Sequence, residues 1–183
     1  MYTAINPQEI LQGDLIVDYE FIAPPTDELL VVERNQSGVL ITKPVSQVVK
    51  PYIGGKIAVV ANSFVSDAMV ISQSCDIQRR DYVHLCPVHK LGNLITELSS
   101  KGFEQKRIDG VLDGLRKNTI NYYFYLPPGS INEIPIEESY VDLQFVGMAP
   151  LLTLGTYSRT LSLTDLGRHR LTFKLTNLYS RPI

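Results

Sequence analysis

The stretch that decides the fold is Asp67-Ala-Met-Val-Ile-Ser-Gln-Ser-Cys-Asp-Ile77, followed at once by Tyr82-Val-His-Leu-Cys-Pro-Val88. Residues 69–72 form a short apolar run rich in strand formers. Residues 82–88 form a second, and Pro87, which has no backbone donor, is expected to break it. A polar loop of roughly nine residues lies between them, so the two runs read as a hairpin. Both cysteines of the chain and two of its three histidines fall in or just after this unit. Any chemical centre is expected here.

Working outward toward the N-terminus, residues 7–12 suit one helical turn before Gly13-Asp14, which opens a strand over 15–21. Pro24 and Pro25 fix φ and make 23–27 a turn. Strands follow over 29–33 and 39–43, joined by a hairpin turn at Asn35-Gln-Ser-Gly38. Residues 45–50 lie between Pro44 and Pro51 and read as an edge or connecting strand. Gly54-Gly55 marks a turn before a strand over 56–61, and 62–67 reads as a polar loop.

The pattern changes after His89. Leu94, Ile95 and Leu98 lie at helical spacing, and Ile108, Val111, Leu112 and Leu115 match the i, i+3, i+4, i+7 template. The second set predicts an amphipathic helix over 104–116, which Gly110 and Gly114 weaken by about 1 kcal/mol each relative to alanine. Residues 91–117 are therefore a helical insertion, expected to be more mobile than the rest. It either covers one opening of a sheet or acts as a lid or partner surface. Strands resume over 121–126 and 140–146, with an extended segment over 148–154. At the C-terminus, Ser162-Leu-Thr-Asp165 has the form of a capping box, and Leu161 and Leu166 occupy hydrophobic-staple positions. Leu171, Leu175 and Leu178 continue the stripe to Pro182, which predicts a helix over 163–180.

Short β-to-β connections favour antiparallel pairing, and a doubly wound parallel sheet would need a helix after nearly every strand. The fold class is mainly β within α+β: a bent, antiparallel, barrel-like sheet with a helical insertion and a C-terminal helix. A single domain is expected over 1–183, β-rich to residue 90, helical over 91–117, β again over 118–160, and closed by the helix at 162–181.

The 183 residues are 44% hydrophobic and 20% charged, with net charge −2, so no global electrostatic attraction to nucleic acid exists. The start of the chain lacks the basic and apolar regions of a signal peptide, and no apolar run nears the roughly 20 residues that span a bilayer. With two cysteines, this composition points to the cytoplasm and to no membrane association.

Cys75 and Asp76 open the loop, where a rigid scaffold presents functional groups. Cys75 is a candidate nucleophile with Asp76 or His84 as base or orienter; the other reading is a buried cysteine with Asp76 capping a turn. The adjacent carboxylate opposes thiolate formation, and no Gly-rich oxyanion loop accompanies the pair. His84 and Cys86 share a strand face, with Cys75 and His89 close in sequence, but this spacing matches no zinc knuckle, and neither a metal nor a cofactor is expected. The aromatic run at 122–125 suits strand packing better than base stacking, since basic residues are not interleaved with it. Ser72, Gln73 and Ser74 are candidate binding residues on the loop. Arg79-Arg80, Arg159 and Arg168-His169-Arg170 form an anion site if the fold unites them, and solvated faces otherwise.

Gly13-Asp14-Leu15-Ile16, with the later strand Met69-Val-Ile-Ser72, resembles the PemK/MazF-like toxins. That resemblance implies a small SH3-like β-barrel with a terminal helix, RNA cleavage, and an antitoxin partner. No arginine directly follows Gly13-Asp14, and the insertion at 91–117 has no counterpart there. Ser72-Gln-Ser-Cys-Asp76 is also similar to an S-Q-x-C-D motif in uncharacterised bacterial proteins. An organised polar loop without a complete catalytic set favours a non-enzymatic binding module of a bacterial accessory system, of the toxin-antitoxin or defence type. In it, residues 72–86 face a protein partner. The alternatives are a MazF-like endoribonuclease, for which RNA is the partner, and a cysteine-dependent enzyme or small metal site.

Overall fold

The computed structural model describes residues 1–23, 30–34, 37, 40–44, 58–131 and 134–180. Its strands and helices run in the order β1 (Tyr2–Thr3), β2 (Leu15–Ile22), β3 (Leu30–Arg34), β4 (Leu40–Pro44), β5 (Ala58–Val60), β6 (Ser63–Val70), α1 (Ser74–Ile77) and β7 (Tyr82–Lys90). Then come α2 (Leu91–Ser100), α3 (Gln105–Arg116), β8 (Tyr123–Leu126), β9 (Gly129–Ile131) and β10 (Ile134–Ile136). The chain ends with β11 (Ser139–Asp142), β12 (Gly147–Pro150), α4 (Leu151–Leu154), β13 (Arg159–Leu163) and α5 (Asp165–Tyr179). Two compact units result: Met1–Tyr19 with Ser66–Ile183, and Glu20–Val65.

The larger unit carries a mainly antiparallel sheet in the order β1-β13-β2-β6-β7-β11-β8, with β12 also on β7. The expected hairpin is β6 with β7, in the register Met69↔Cys86 and Val70↔Leu85. Pro87 does not break β7. On the side away from β6, β12 pairs with Tyr82–Leu85 and β11 with Val88–Lys90. Pro87 lies in the gap between those partners, where a missing donor costs little. Nor is 62–67 a loop: residues 63–67 are the first part of β6.

The sheet curls until its ends approach. Tyr2 on β1 donates its hydroxyl to the Pro127 carbonyl, just past β8, at 2.7 Å. Burial, with Tyr125 nearby, raises the pKa of that hydroxyl, so it stays a donor. Inside the curl lies a core of Leu15, Met69, Cys86, Phe124, Val141, Leu161 and Leu163, closed by Leu171 of α5. Gly13 makes this closure possible. Its φ is +88°, and a Cβ there would lie 2.9 Å from Leu163 Cβ, so side-chain residues are excluded both by conformation and by space.

The insertion is helical as expected. Ile108, Leu112 and Leu115 of α3 pack with Leu91 of α2 against Tyr140 of β11, so the two helices cover one face of the sheet. The C-terminal helix begins later than its capping-box motif suggests. Ser162 and Leu163 belong to β13, which pairs with both β1 and β2. Thr164 is the N-cap and accepts from the Gly167 amide at 3.3 Å. Leu166 is 63% exposed, so it makes no staple with the buried Leu161. Residues 151–154 are a helical turn after Pro150, not an extended segment. Strand β11 stops at Asp142, whose Oδ1 accepts from the Gln144 amide at 2.9 Å and turns the chain.

In the smaller unit, β4-β3-β5 form an antiparallel sheet. Phe21 stacks on Phe64 with centroids 5.3 Å apart. The strand expected at 45–50 and the turn at 54–55 lie outside the described residues, as does most of the turns at 23–27 and 35–38. Among the described residues no helix is long and apolar enough to cross a membrane.

Candidate functional site

The loop between β6 and β7 is ordered by its own polar side chains. The Ile71 amide donates to the His84 carbonyl at 3.0 Å, continuing the ladder. At the next step the His84 amide finds Ser72 Oγ instead of a backbone acceptor, at 2.8 Å. A side-chain oxygen thus closes the hairpin mouth, and His84 Nδ1 lies 3.4 Å from the same hydroxyl. The chain then makes the one-turn helix α1.

Gln12, which sequence reasoning passed over, fastens this loop to the rest of the unit. It is 5% exposed. Its amide donates to Ser74 Oγ at 3.0 Å and its Nε2 to the Ile71 carbonyl at 2.9 Å. Its Oε1 accepts from Thr172 of α5 at 2.9 Å. Two residues on, Asp14 is fully buried and pairs with Arg159 at 3.1 Å. Asp14 Oδ2 also accepts from the Leu11 amide, whereas among the described residues Oδ1 has no partner. Arg159 donates further to the carbonyls of Glu9 and Pro7, so its guanidinium ties the N-terminal segment down and is not free for an anion.

A groove of about 270 Å³ runs between this loop and α5, lined by Ile71, Gln73, His84, Thr176 and Tyr179 among others. It continues into a hollow of about 340 Å³ that adds Cys75, Asp165, Arg168 and His169, with Gln12, Gln73 and Thr172 lining both. Of the sequence candidates, Gln73, Cys75 and His84 therefore meet along one groove. Ser74 also lines the hollow, with its Oγ held by the Gln12 amide, whereas Ser72 lines neither part and serves as a structural acceptor. Asp76 lies on α1 and lines neither part. Arg79 and Arg80 follow α1 and are exposed; among the described residues their side chains make no ion pair. Arg168 is held by the Leu163 carbonyl at 2.7 Å and by Asp165. The fold does not gather the three basic clusters into one anion site.

The geometry bears on each chemical reading. Cys75 is exposed, and its thiol contact is Gln73 Oε1 at 3.8 Å, an amide oxygen that cannot serve as a base. His84 faces Ser72 and, edge-on, Tyr82 at 5.9 Å. Cys86 sits in the core, where burial pushes its thiol up to about 12, so it stays protonated. His89 stacks near Tyr140 at 5.4 Å, and burial lowers its pKa. Among the described residues no three His, Cys, Asp or Glu side chains are grouped as a metal site requires. Within the aromatic run, Tyr123 meets Tyr140 at 4.9 Å and Phe124 is core, while Tyr122 is exposed.

No protein-family model and no curated protein matches the chain. The site must be read from its own geometry.

Proposed function

We propose that the chain is a non-enzymatic binding module that holds an extended segment of a protein partner in the groove between α5 and residues 71–75. The observation that carries this reading is the division of labour in the loop. Ser72, Ser74 and Gln12 commit polar atoms to the protein's own frame, while Gln73 and Cys75, which share the lining with Gln12 and Ser74, are exposed. A nucleophilic centre requires a base within hydrogen-bond reach of the nucleophile, and Cys75 has an amide oxygen there instead. A braced frame presenting exposed polar groups is what recognition needs, because little ordering cost remains on binding. Ile71 and Leu175 supply an apolar floor, with the Gln73 amide and the Thr176 hydroxyl beside it.

The test is a photo-crosslinking residue placed at Gln73 in cells, with Ser130 on β9 as the control position. The reading expects a discrete protein adduct from position 73 that disappears when Thr176→Trp fills the groove. No adduct at 73, or the same adduct from both positions, would sink it.

A further inference from the structure

On the other side of α5 lies a second groove, of about 600 Å³, between that helix and the C-terminal end of α3. This volume is within the roughly 300–1,000 Å³ of small-molecule sites. Four cations, Arg116, Lys117, Arg170 and Lys174, line it together with His169, and no Asp or Glu does. That is a local concentration of positive charge in a chain with 17 Lys and Arg against 19 Asp and Glu. Two of the cations are already answered, Arg116 by Glu138 at 2.8 Å and Lys117 by Asp113 at 2.7 Å. The other two are not. Arg170 is exposed and, among the described residues, has no ion pair. Lys174 is only 9% exposed, and its ammonium donates to the carbonyls of Asn118 at 2.7 Å and Ile120 at 2.6 Å.

A buried ammonium whose partners are neutral carbonyls has no counter-charge, so burial lowers its pKa, and it has a third N–H to give. An anion in the groove would supply the missing counter-charge. Two further features select among anions. Phe173 stands on the groove wall with 70% of its surface exposed, an aromatic face available for a planar ring to stack on. The side chains of Asn121 and Asn177, also in the lining, have no hydrogen-bond partner among the described residues and present the donor and acceptor pair that reads a base edge.

From these residues we propose that the groove between α3 and α5 is a nucleotide site: phosphate toward Arg170 and Lys174, base on Phe173, base edge toward the asparagine amides. The nucleotide is either free or part of a single strand. This site is distinct from the loop groove and does not depend on the function proposed for it.

The test titrates the full chain with ATP, with tripolyphosphate, which has the charge but no ring, and with a short single-stranded RNA. ATP is expected to bind about fivefold or more tighter than tripolyphosphate, with Phe173→Ala abolishing the difference. Arg170→Glu should weaken ATP by about tenfold, whereas Lys106→Glu, the same charge change at the far end of α3, should leave it unchanged. ATP binding tighter than the RNA assigns a free nucleotide; RNA binding tighter, with the same dependence on Arg170 and Phe173, assigns a strand. Equal binding of ATP and tripolyphosphate would overturn the nucleotide assignment. Equal weakening by both charge variants, or no binding of any probe below about 1 mM, would overturn the site.

Discussion

Facing the loop groove, Gln12 and Ser74 commit polar atoms to the protein itself; facing the cationic groove, the side chains of Arg170, Asn121 and Asn177 have no hydrogen-bond or ion-pair partner among the described residues. The same helix presents both faces, Thr172 and Thr176 to the loop groove and Arg170, Phe173 and Lys174 to the cationic one. His169 borders both. The difference teaches that a polar cluster in sequence is a poor guide to function. Much of the loop, dense in hydrogen-bonding groups, is frame, and the lining of the cationic groove comes from α5 and from residues 116–124, which no single motif unites.

The largest expected loss is at the frame. Arg159→Ala leaves Asp14 as a buried, unpaired charge and should cost about 3–5 kcal/mol, read as a drop in the urea midpoint at neutral pH. A loss below about 1 kcal/mol would mean the loop side is not braced as described. Lys174→Met keeps the packing but orphans two carbonyls, with an expected cost of about 2 kcal/mol in the same assay. Arg170→Ala, on the same helix, should change stability by less than about 0.5 kcal/mol. A sharper contrast lies between two glutamines. Gln12→Ala should cost about 1–2 kcal/mol, because it leaves the Ile71 carbonyl buried without its donor; Gln73→Ala, exposed on the groove, should stay within about 0.5 kcal/mol.

A small, pH-dependent effect belongs to the rim of the cationic groove. Arg116 holds the Glu138 carboxyl below its usual range through a two-point contact at 2.8 and 3.0 Å, which Tyr125 reinforces. A lowered carboxylate pKa stabilises the fold at pH values above the unfolded pKa, and the contribution is lost as pH falls through the folded value. Glu138→Gln should therefore lower stability by about 0.5 kcal/mol at pH 7. The gap between variant and parent should close in acid, as thermal melts at both pH values would show.

Much of the fold was legible because burial imposes a period. The hairpin at 69–88 and the helix at 104–116 each carry one unambiguous apolar pattern, and both formed. The boundary near residue 163 was not legible, because Leu161 and Leu163 satisfy a strand while Ser162 and Asp165 imitate a helix start. Pairing of β13 with both β1 and β2 settled the contest, a long-range effect that no local motif contains. The candidate site was legible in part. Gln73, Cys75 and His84 do meet along one groove, but Gln12 reaches it from some sixty residues upstream in sequence, Gln12 to Ser74, and a lone amide has no pattern to betray it. Lys174 reads as one more polar helix residue, and only the packing of α5 against residues 118–120 shows that it is buried.

On the proposed function, residues 71–86 recognise and do not catalyse. The most direct measurement is expression of the chain in a bacterial host beside Cys75→Ala, Asp76→Ala and His84→Ala variants, following growth together with the integrity of total RNA. The account predicts normal growth and intact RNA in every strain. Growth arrest with fragmented RNA in the parent, relieved by any of the three substitutions, would contradict it.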